Sequence, residues 1–142
     1  MLEVLRHILC EYKILMEAEG LALTWQLEAE SHIAHINTQQ MVRVFQNLLD
    51  NARKYADRSA PVTVTAQDTG RLHIRIANRV TDTHGIEPDR IFERFYRADQ
   101  ARSASQSSGL GLAIVKRIVE LHGGEVDASL QGQELSVHLF LK

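Results

Sequence analysis

Three polar side chains recur along one segment at spacings that place them on one side of a helix. In "QNLLDNARKYA", Asn47, Asn51 and Lys54 stand at i, i+4 and i+7, beside the face that the apolar residues would bury. Amides at the edge of a core are costly without partners, and their carbonyl oxygens suit Mg²⁺, while a lysine can reach a phosphate. The pattern indicates a magnesium and phosphate site, and a polar border in contact with water is the simpler alternative for these residues alone.

A second candidate closes an alternating strand. In "LHIRIAN", Leu72, Ile74 and Ile76 share one face, and Asn78 is the next residue on that face. A carboxamide there can accept a hydrogen bond from an exocyclic amine and donate one to a ring nitrogen, which is the pattern that adenine requires. Capping of the strand end explains Asn78 equally well when the residue is taken alone.

Glycines stand at the start of a helix in "SSGLGLAIVKRIVELHGG", although glycine is a poor helix former. Gly109 and Gly111 would expose backbone N–H groups to a phosphate, and Ser107 and Ser108 add hydroxyl groups. A tight turn packed on the sheet is the alternative. The polar run at 99–108, "DQARSASQSS", is expected to be a mobile lid over a ligand.

Arginines precede this lid in "IFERFYRAD". Ile91, Phe92 and Phe95 can anchor a short helix, and Arg94 and Arg97 lie just before the lid. An arginine at a lid hinge can meet a terminal phosphate when the lid closes. Solvation at the surface is the ordinary alternative for either arginine.

Composition limits the class of protein. The 142 residues are 44% hydrophobic and 24% charged, as expected for one folded domain, and the net charge of −2 comes without a long basic run, so no nucleic-acid partner is expected. Cys10 is the only cysteine, which excludes an intramolecular disulfide, and we expect Cys10 and Trp25 in the core. No apolar run is long enough for a membrane span, so we expect no membrane insertion by this chain.

Periodicity predicts the order of the elements, and no internal repeat interrupts it. Helices are expected at 2–19, from Asn37 or Thr38 to 55–57, from 88 to 95, and at 110–122. Strands are expected at 21–27, 32–36, 62–66, 72–78, 125–130 and 134–141. The fold class is α+β, an α/β sandwich with a mixed, mainly antiparallel sheet of about five strands covered on one face by about three main helices.

The order of these motifs resembles the catalytic ATP-binding domain of bacterial sensor histidine kinases, which has the Bergerat fold shared with gyrase, MutL and heat-shock chaperone ATPases. "NLLDNARKYA" resembles the N box of that family, "IFERFYRAD" its F box, and "SSGLGLAIVKRIVELHGGEV" its second glycine box. The N and F boxes together separate the kinases from their ATPase relatives. The resemblance covers nearly the whole chain and implies a single catalytic domain over 1–142.

The resemblance implies ATP and Mg²⁺ between the second helix and the lid. Asn51 would be the principal Mg²⁺ ligand with Asn47 nearby, Lys54 and Tyr55 would face the phosphates and the nucleotide, and Arg97 would approach the γ-phosphate. The second glycine box would contribute nucleotide contacts and secure the helix beneath them through Ser107, Ser108, Gly109, Leu110, Gly111 and Leu112.

The chain departs from the family pattern at two places. The first glycine box usually contains Asp-x-Gly-x-Gly-Ile, whereas this chain has "ANRVTDTHGIEPDR". Counting from the strand puts Asn78 in the place of the aspartate, and counting back from Gly85 and Ile86 makes Asp82 the candidate. Strand phase favours Asn78, and some metal-sensing members of the family carry asparagine there. Ser107 stands where glycine is usual.

The phosphoacceptor is expected elsewhere. None of the seven histidines has the context His-Glu-x-x-x-Pro, and His7 in "RHILCEY" lacks both the acid and the proline. The resemblance therefore implies the cytoplasmic domain of an inner-membrane receptor, which donates a γ-phosphate to a histidine on a separate dimerisation domain and thence to a response regulator. The alternative is a nucleotide-sensing or protein-interaction module without kinase activity. An ATP-hydrolysing chaperone or topoisomerase relative is disfavoured by the "FERFYR" segment.

Overall fold

The computed structural model describes residues 2–28, 37–93 and 111–141. In these ranges the helices are α1 (Leu2–Ala18), α2 (Thr38–Tyr55) and α3 (Gly111–Leu121), with a 3₁₀ turn at Pro88–Arg90. The strands are β1 (Leu23–Leu27), β2 (Val62–Asp68), β3 (Leu72–Arg79), β4 (Glu125–Gln131) and β5 (Glu134–Leu141). The strand predicted at 32–36 and the lid predicted at 99–108 lie outside the described residues.

The strands form one mixed sheet in the order β1-β2-β3-β5-β4. The β1–β2 pair is parallel, and the other three pairs are antiparallel. Tight turns join two of the antiparallel pairs, β2–β3 and β4–β5: Gly70 has φ 97° and donates its N–H to Asp68 Oδ1 at 3.1 Å, and Gly132 has φ 60° in the β4–β5 turn. The predicted mixed, mainly antiparallel sheet is therefore confirmed.

The three helices cover the face of the sheet on which the apolar side chains lie. On β3, Leu72, Ile74 and Ile76 are buried in alternation, as expected for a strand with one face against a core. Across this face α1 packs against β1, α2 against β3 and α3 against β4. The helix α2 is therefore central, and its Phe45 and Leu49 are completely buried.

Local hydrogen bonds explain where the helices begin and end. Asn37 caps α2, because its side-chain oxygen accepts the Gln40 N–H at 3.1 Å, which resolves the choice between Asn37 and Thr38. Gly20 ends α1 with φ 78°, and Gly123 ends α3 with φ 75°. In α3 the Gly124 N–H returns to Val119 O at 3.0 Å, the bond that closes a Schellman motif.

Two expectations about these elements are wrong. Of the helix predicted from 88 to 95, residues 88–93 are described, and there only the 3₁₀ turn Pro88–Arg90 forms, after which Ile91 and Phe92 turn into the core. Cys10 is exposed, since its position on α1 points away from the buried stripe that includes Leu5 and Leu9. Trp25 is half-buried and packs against the core from the edge strand β1.

A polar contact between α1 and α2 sets the rotation of α2. The Tyr12 hydroxyl donates to Asp50 Oδ1 at 3.0 Å, and Arg53 lies 3.4 Å from both Asp50 and Glu19. Because Asp50 and Arg53 turn toward α1, the side chain of Asn51 lies on the other flank of the helix. Burial, reinforced by the hydrogen bond to Asp50, raises the pKa of Tyr12 above its ordinary value of 10.0.

We expect Tyr12→Phe to lower the free energy of unfolding at about pH 8 by about 1.5 kcal/mol, typical of one hydrogen bond to a charged group. Because the pKa of Tyr12 is raised in the folded state, its contribution is complete below pH 10.0, the ordinary pKa, and is lost as the pH rises above it. Urea unfolding at about pH 8 and about pH 11 should show the difference shrinking at the higher pH. Tyr55→Phe is the control, since Tyr55 is 44% exposed, and a difference that stays constant with pH would contradict the assignment.

Candidate functional site

The asparagine row of α2 lies at the border of the core. Asn47 and Asn51 are half-buried, whereas Lys54 and Tyr55 at the end of the helix are exposed. The row faces the flank on which α3 packs, because a β-carbon placed on Gly111 would lie 3.5 Å from Asn47 Oδ1. The structure thus brings the amide row together with the first residue of the helix that follows the glycine-rich segment.

Packing against the described residues does not require glycine at position 111. Its φ lies outside the left-handed region that favours glycine, and 3.5 Å from Asn47 Oδ1 is an ordinary contact distance for a β-carbon. Leu112, the next residue, is half-buried and packs against the core, as expected for a residue that secures the helix. The bare backbone of Gly111 leaves room beside the Asn47 amide, at a helix start where N–H groups are unpaired.

Asn78 is a buried amide on the helix-facing side of the sheet. It is only 5% exposed and follows Ile76 on the same face of β3, the strand against which α2 packs. Within the described part of the chain its amide makes one long hydrogen bond, from Nδ2 to Arg79 O at 3.4 Å. A buried amide with spare hydrogen-bonding capacity is costly unless another partner is supplied, so its chemistry fits an adenine ring.

Asp82, the other candidate for adenine recognition, has a local role. It is exposed, and its Oδ1 accepts the N–H of His84 at 2.8 Å. Gly85 then turns the chain with φ 80°, and the half-buried Ile86 follows. The Asp82 carboxylate therefore stabilises the conformation of its own loop. Because Asn78 is buried whereas Asp82 is exposed, Asn78 remains the better candidate for adenine recognition, as counting from the strand predicts.

Asp57, which belongs to none of the sequence motifs, joins the ends of α2 and β3. Its carboxylate accepts the Ser59 N–H at 2.9 Å, which holds the pKa of Asp57 below its ordinary value. Its backbone N–H donates to Arg79 O at 2.7 Å, and the Arg79 guanidinium lies 3.7 Å from the carboxylate. The bridge holds the end of α2, with Lys54, close to the end of the strand that carries Asn78. A side-chain oxygen that accepts the backbone N–H two residues on defines an Asx turn, and an aspartate just after the end of a helix is its sequence signal.

The described residues fit magnesium and ATP in chemistry. The oxygens of Asn47 and Asn51 are ligands that Mg²⁺ accepts, Gly111 leaves space beside one of them, and Asn78 is a buried donor and acceptor. Five further predicted site residues lie outside the described ranges, and their roles stay predictions: Arg97, Ser107, Ser108, Gly109 and Leu110. Among the helices that are described, none has the length and apolar content needed to span a membrane.

Known proteins are similar in sequence to this chain over most of its length. The chain is 32% identical over 134 residues to the sensor protein VanSC of Enterococcus gallinarum, which covers 93% of this chain and 37% of the relative. It is 34% identical over 120 residues to the probable sensor protein PcoS of Escherichia coli (83% and 26%). It is 35% identical over 133 residues to the sensor protein kinase WalK of Staphylococcus haemolyticus (89% and 22%). The chain therefore spans much less than half the length of these curated relatives.

Solved structures agree in fold. A mycobacterial sensor histidine kinase, MprB, superposes with a TM-score of 0.76 at 27% identity, over 99% of this chain and 93% of the other. The catalytic domain of the histidine kinase ThkA superposes with a TM-score of 0.82 over 99% and 91%, and its 17% identity makes it evidence of fold alone. Residues 36–142 match the family described as histidine kinase-, DNA gyrase B-, and HSP90-like ATPase. The chain belongs to this family, and the relatives named here are sensor proteins and sensor histidine kinases.

Proposed function

We propose that this chain binds Mg-ATP and donates the γ-phosphate to a histidine on a separate dimerisation domain, as the catalytic domain of a sensor histidine kinase. The family match and the sensor kinase relatives support the proposal. The observation that carries it is Gly111, a glycine at a helix start that neither backbone conformation nor packing against the described residues requires. A phosphate that must approach the backbone N–H groups closely supplies the missing reason.

The amide row and the lysine would have different roles, the amides at the metal ion and the lysine at a phosphate. Asn51, with Asn47 beside it, would hold Mg²⁺ through side-chain oxygens, and Lys54 would reach a phosphate from the exposed end of α2. Bound Mg²⁺ would neutralise charge that develops on the transferring phosphoryl group. Arg97 would add a second positive charge at the γ-phosphate. Catalysis then consists of positioning and charge neutralisation, without a covalent intermediate on this chain.

Asn78 would recognise the adenine ring from the sheet. Its amide can accept from the exocyclic amine and donate to a ring nitrogen, and burial keeps water from competing for these bonds. Asn78 and the α2 row lie on the same side of the sheet, because β3 packs against α2. The base and the phosphates of one nucleotide would thus contact two different elements of the same layer.

The acceptor histidine would come from another domain of the same receptor. His7, the histidine of α1, is exposed and pairs with Glu11 at 3.0 Å, in a sequence unlike a phosphoacceptor. We therefore assign to this chain the cytoplasmic catalytic part of an inner-membrane receptor, whose dimerisation domain later passes the phosphate to a response regulator. The competing function, a nucleotide-sensing or interaction module without kinase activity, is decided by the binding and transfer experiments below.

Gly111→Ala tests whether the glycine is needed for nucleotide binding rather than for folding. The added methyl group fits the fold, so stability should be unchanged or should rise by up to about 1 kcal/mol from helix propensity. Affinity for a non-hydrolysable ATP analogue, measured by calorimetry, should fall at least about tenfold, because the methyl group occupies the space for a phosphate. Gly132→Asn in the β4–β5 turn is the control and should bind as the parent does. Unchanged affinity in Gly111→Ala would remove the main support of the proposal.

Asn51→Ala tests the metal ligand. In the parent chain we expect micromolar-range binding of the ATP analogue that requires Mg²⁺, and in Asn51→Ala the gain from Mg²⁺ should fall at least about tenfold because a ligand oxygen is lost. Gln46→Ala, which removes an exposed amide from the same helix, should leave the gain intact. No binding by the parent chain at millimolar nucleotide would favour the interaction module.

Phosphotransfer tests the kinase step itself. With γ-labelled ATP and a purified histidine-bearing dimerisation domain, the parent chain should label the acceptor, and Asn51→Asp or Arg97→Ala should abolish labelling. The aspartate keeps an oxygen ligand but adds a negative charge beside the phosphates, and the alanine removes a positive one. Gln46→Ala again serves as the control. Full labelling by either of the first two variants would refute their assigned roles.

A further inference from the structure

Two histidines contact each other on the sheet face opposite the helices. His73 of β3 and His138 of β5 approach with 3.0 Å between His73 Nε2 and His138 Nδ1. Both side chains alternate with buried neighbours, such as Ile74 and Leu139, that face the helices. The pair is therefore separated from the proposed ATP site by the thickness of the sheet.

A second hydrogen bond orients His138. Its Nε2 lies 3.3 Å from Ser129 Oγ on β4. When Nε2 carries the proton and donates it to Ser129, the Nδ1 lone pair faces His73. Metal-binding histidines are held in the same way, by a hydrogen bond on the nitrogen that does not bind the metal. His138 is thus prepared as an Nδ1 ligand.

The distance between the two nitrogens suits a shared metal ion. Imidazole nitrogens bind such ions at about 2.0–2.1 Å, so two of them lie about 2.9 Å apart in neighbouring square-planar positions and about 3.4 Å apart on a tetrahedral ion. The observed separation of 3.0 Å is nearer to the square-planar value. In this structure the 3.0 Å contact is a hydrogen bond, and a metal ion would replace the shared proton only if each ring turns so that its lone pair leaves the N···N line and points at the ion.

The neighbouring residues steady the rings and bring charges of both signs close to them. His73 stacks on Phe140 with ring centroids 4.5 Å apart. Asp127 stands opposite His138 on β4 and Arg75 stands opposite it on β3, and the charge of Arg75 is paired with Glu134. Arg71, which lies over Phe140, is paired with Glu125.

We infer that His73 and His138 chelate a divalent transition metal ion of tetragonal preference, with Cu²⁺ bound more tightly than Ni²⁺ or Zn²⁺. In the described parts of the chain there is no cluster of three or more His, Cys, Asp and Glu residues suited to a metal. The site therefore has two protein ligands, and water completes the coordination. Mg²⁺, which prefers oxygen ligands, would not compete for it.

The test is titration of the purified chain with Cu²⁺, Ni²⁺ and Zn²⁺ by calorimetry, without nucleotide. All variants carry Cys10→Ser, because the exposed Cys10 thiol would react with Cu²⁺. We expect one Cu²⁺ per chain, with affinity at least about tenfold weaker in both His73→Gln and His138→Gln, since even second-shell losses cost that much. His84→Gln, which alters an exposed loop histidine, is the matched control and should bind as the parent does.

Electron paramagnetic resonance of the Cu²⁺-loaded parent chain gives a readout that no variant's folding affects. We expect an axial spectrum with coupling to two imidazole nitrogens. Equal affinity in the parent and both histidine variants, weakening in only one of the two, or coupling to fewer than two nitrogens would each overturn the inference. Analogue binding with Mg²⁺ should be the same with or without the two substitutions, so this result and the ATP proposal fail independently.

Discussion

The burial of α2 is the constraint on which the candidate site depends. The helix lies between α1 and α3 and packs against β3, so its apolar face has one permitted orientation. The contact between Tyr12 and Asp50 adds a polar restraint on the α1 flank, and the asparagine row is consequently turned toward α3. A rotation of α2 by one residue position, about 100°, would bury polar groups and move Asn47 away from Gly111. The packing that buries the apolar face of α2 therefore also sets the positions of the asparagines in the candidate site.

Much of this arrangement could be predicted because it follows from periodicity. The helical period of α2 and the alternation along β3 decide which side chains are buried, and both were recognised without knowledge of contacts between elements. Cys10 was predicted wrongly, because an apolar side chain in a helix does not reveal which flank is covered. Among the described residues after Pro88 no α-helix forms, because Ile91 and Phe92 reach the core without one. Asp57 was missed because its role is to join elements distant in sequence.

The strand β3 presents an amide on one face of the sheet and a histidine on the other. Asn78 continues the buried row that begins at Leu72, whereas His73 belongs to the opposite row. Because side chains alternate along a strand, a shift of one residue in the pairing of β3 with β5 would exchange the two sets. The register therefore holds both the amide on the helix-covered face and the histidine pair on the opposite face, and the Ile76–Val137 pairing within it is set by core packing. Core packing thus fixes which side chains lie on each face of β3.

Three glycines of the structure differ in whether backbone conformation or packing against the described residues explains them. A β-carbon on Gly124 would lie 2.6 Å from Phe140 O and 3.0 Å from Val119 Cγ1, so the fold itself requires that glycine. Gly123 is explained by its positive φ at the end of α3. Gly111 meets neither criterion, although an alanine would favour the helix. A residue that lowers helix stability and that packing against the described residues does not need requires another explanation, and the phosphate proposed above, beside the Asn47 amide, would supply one.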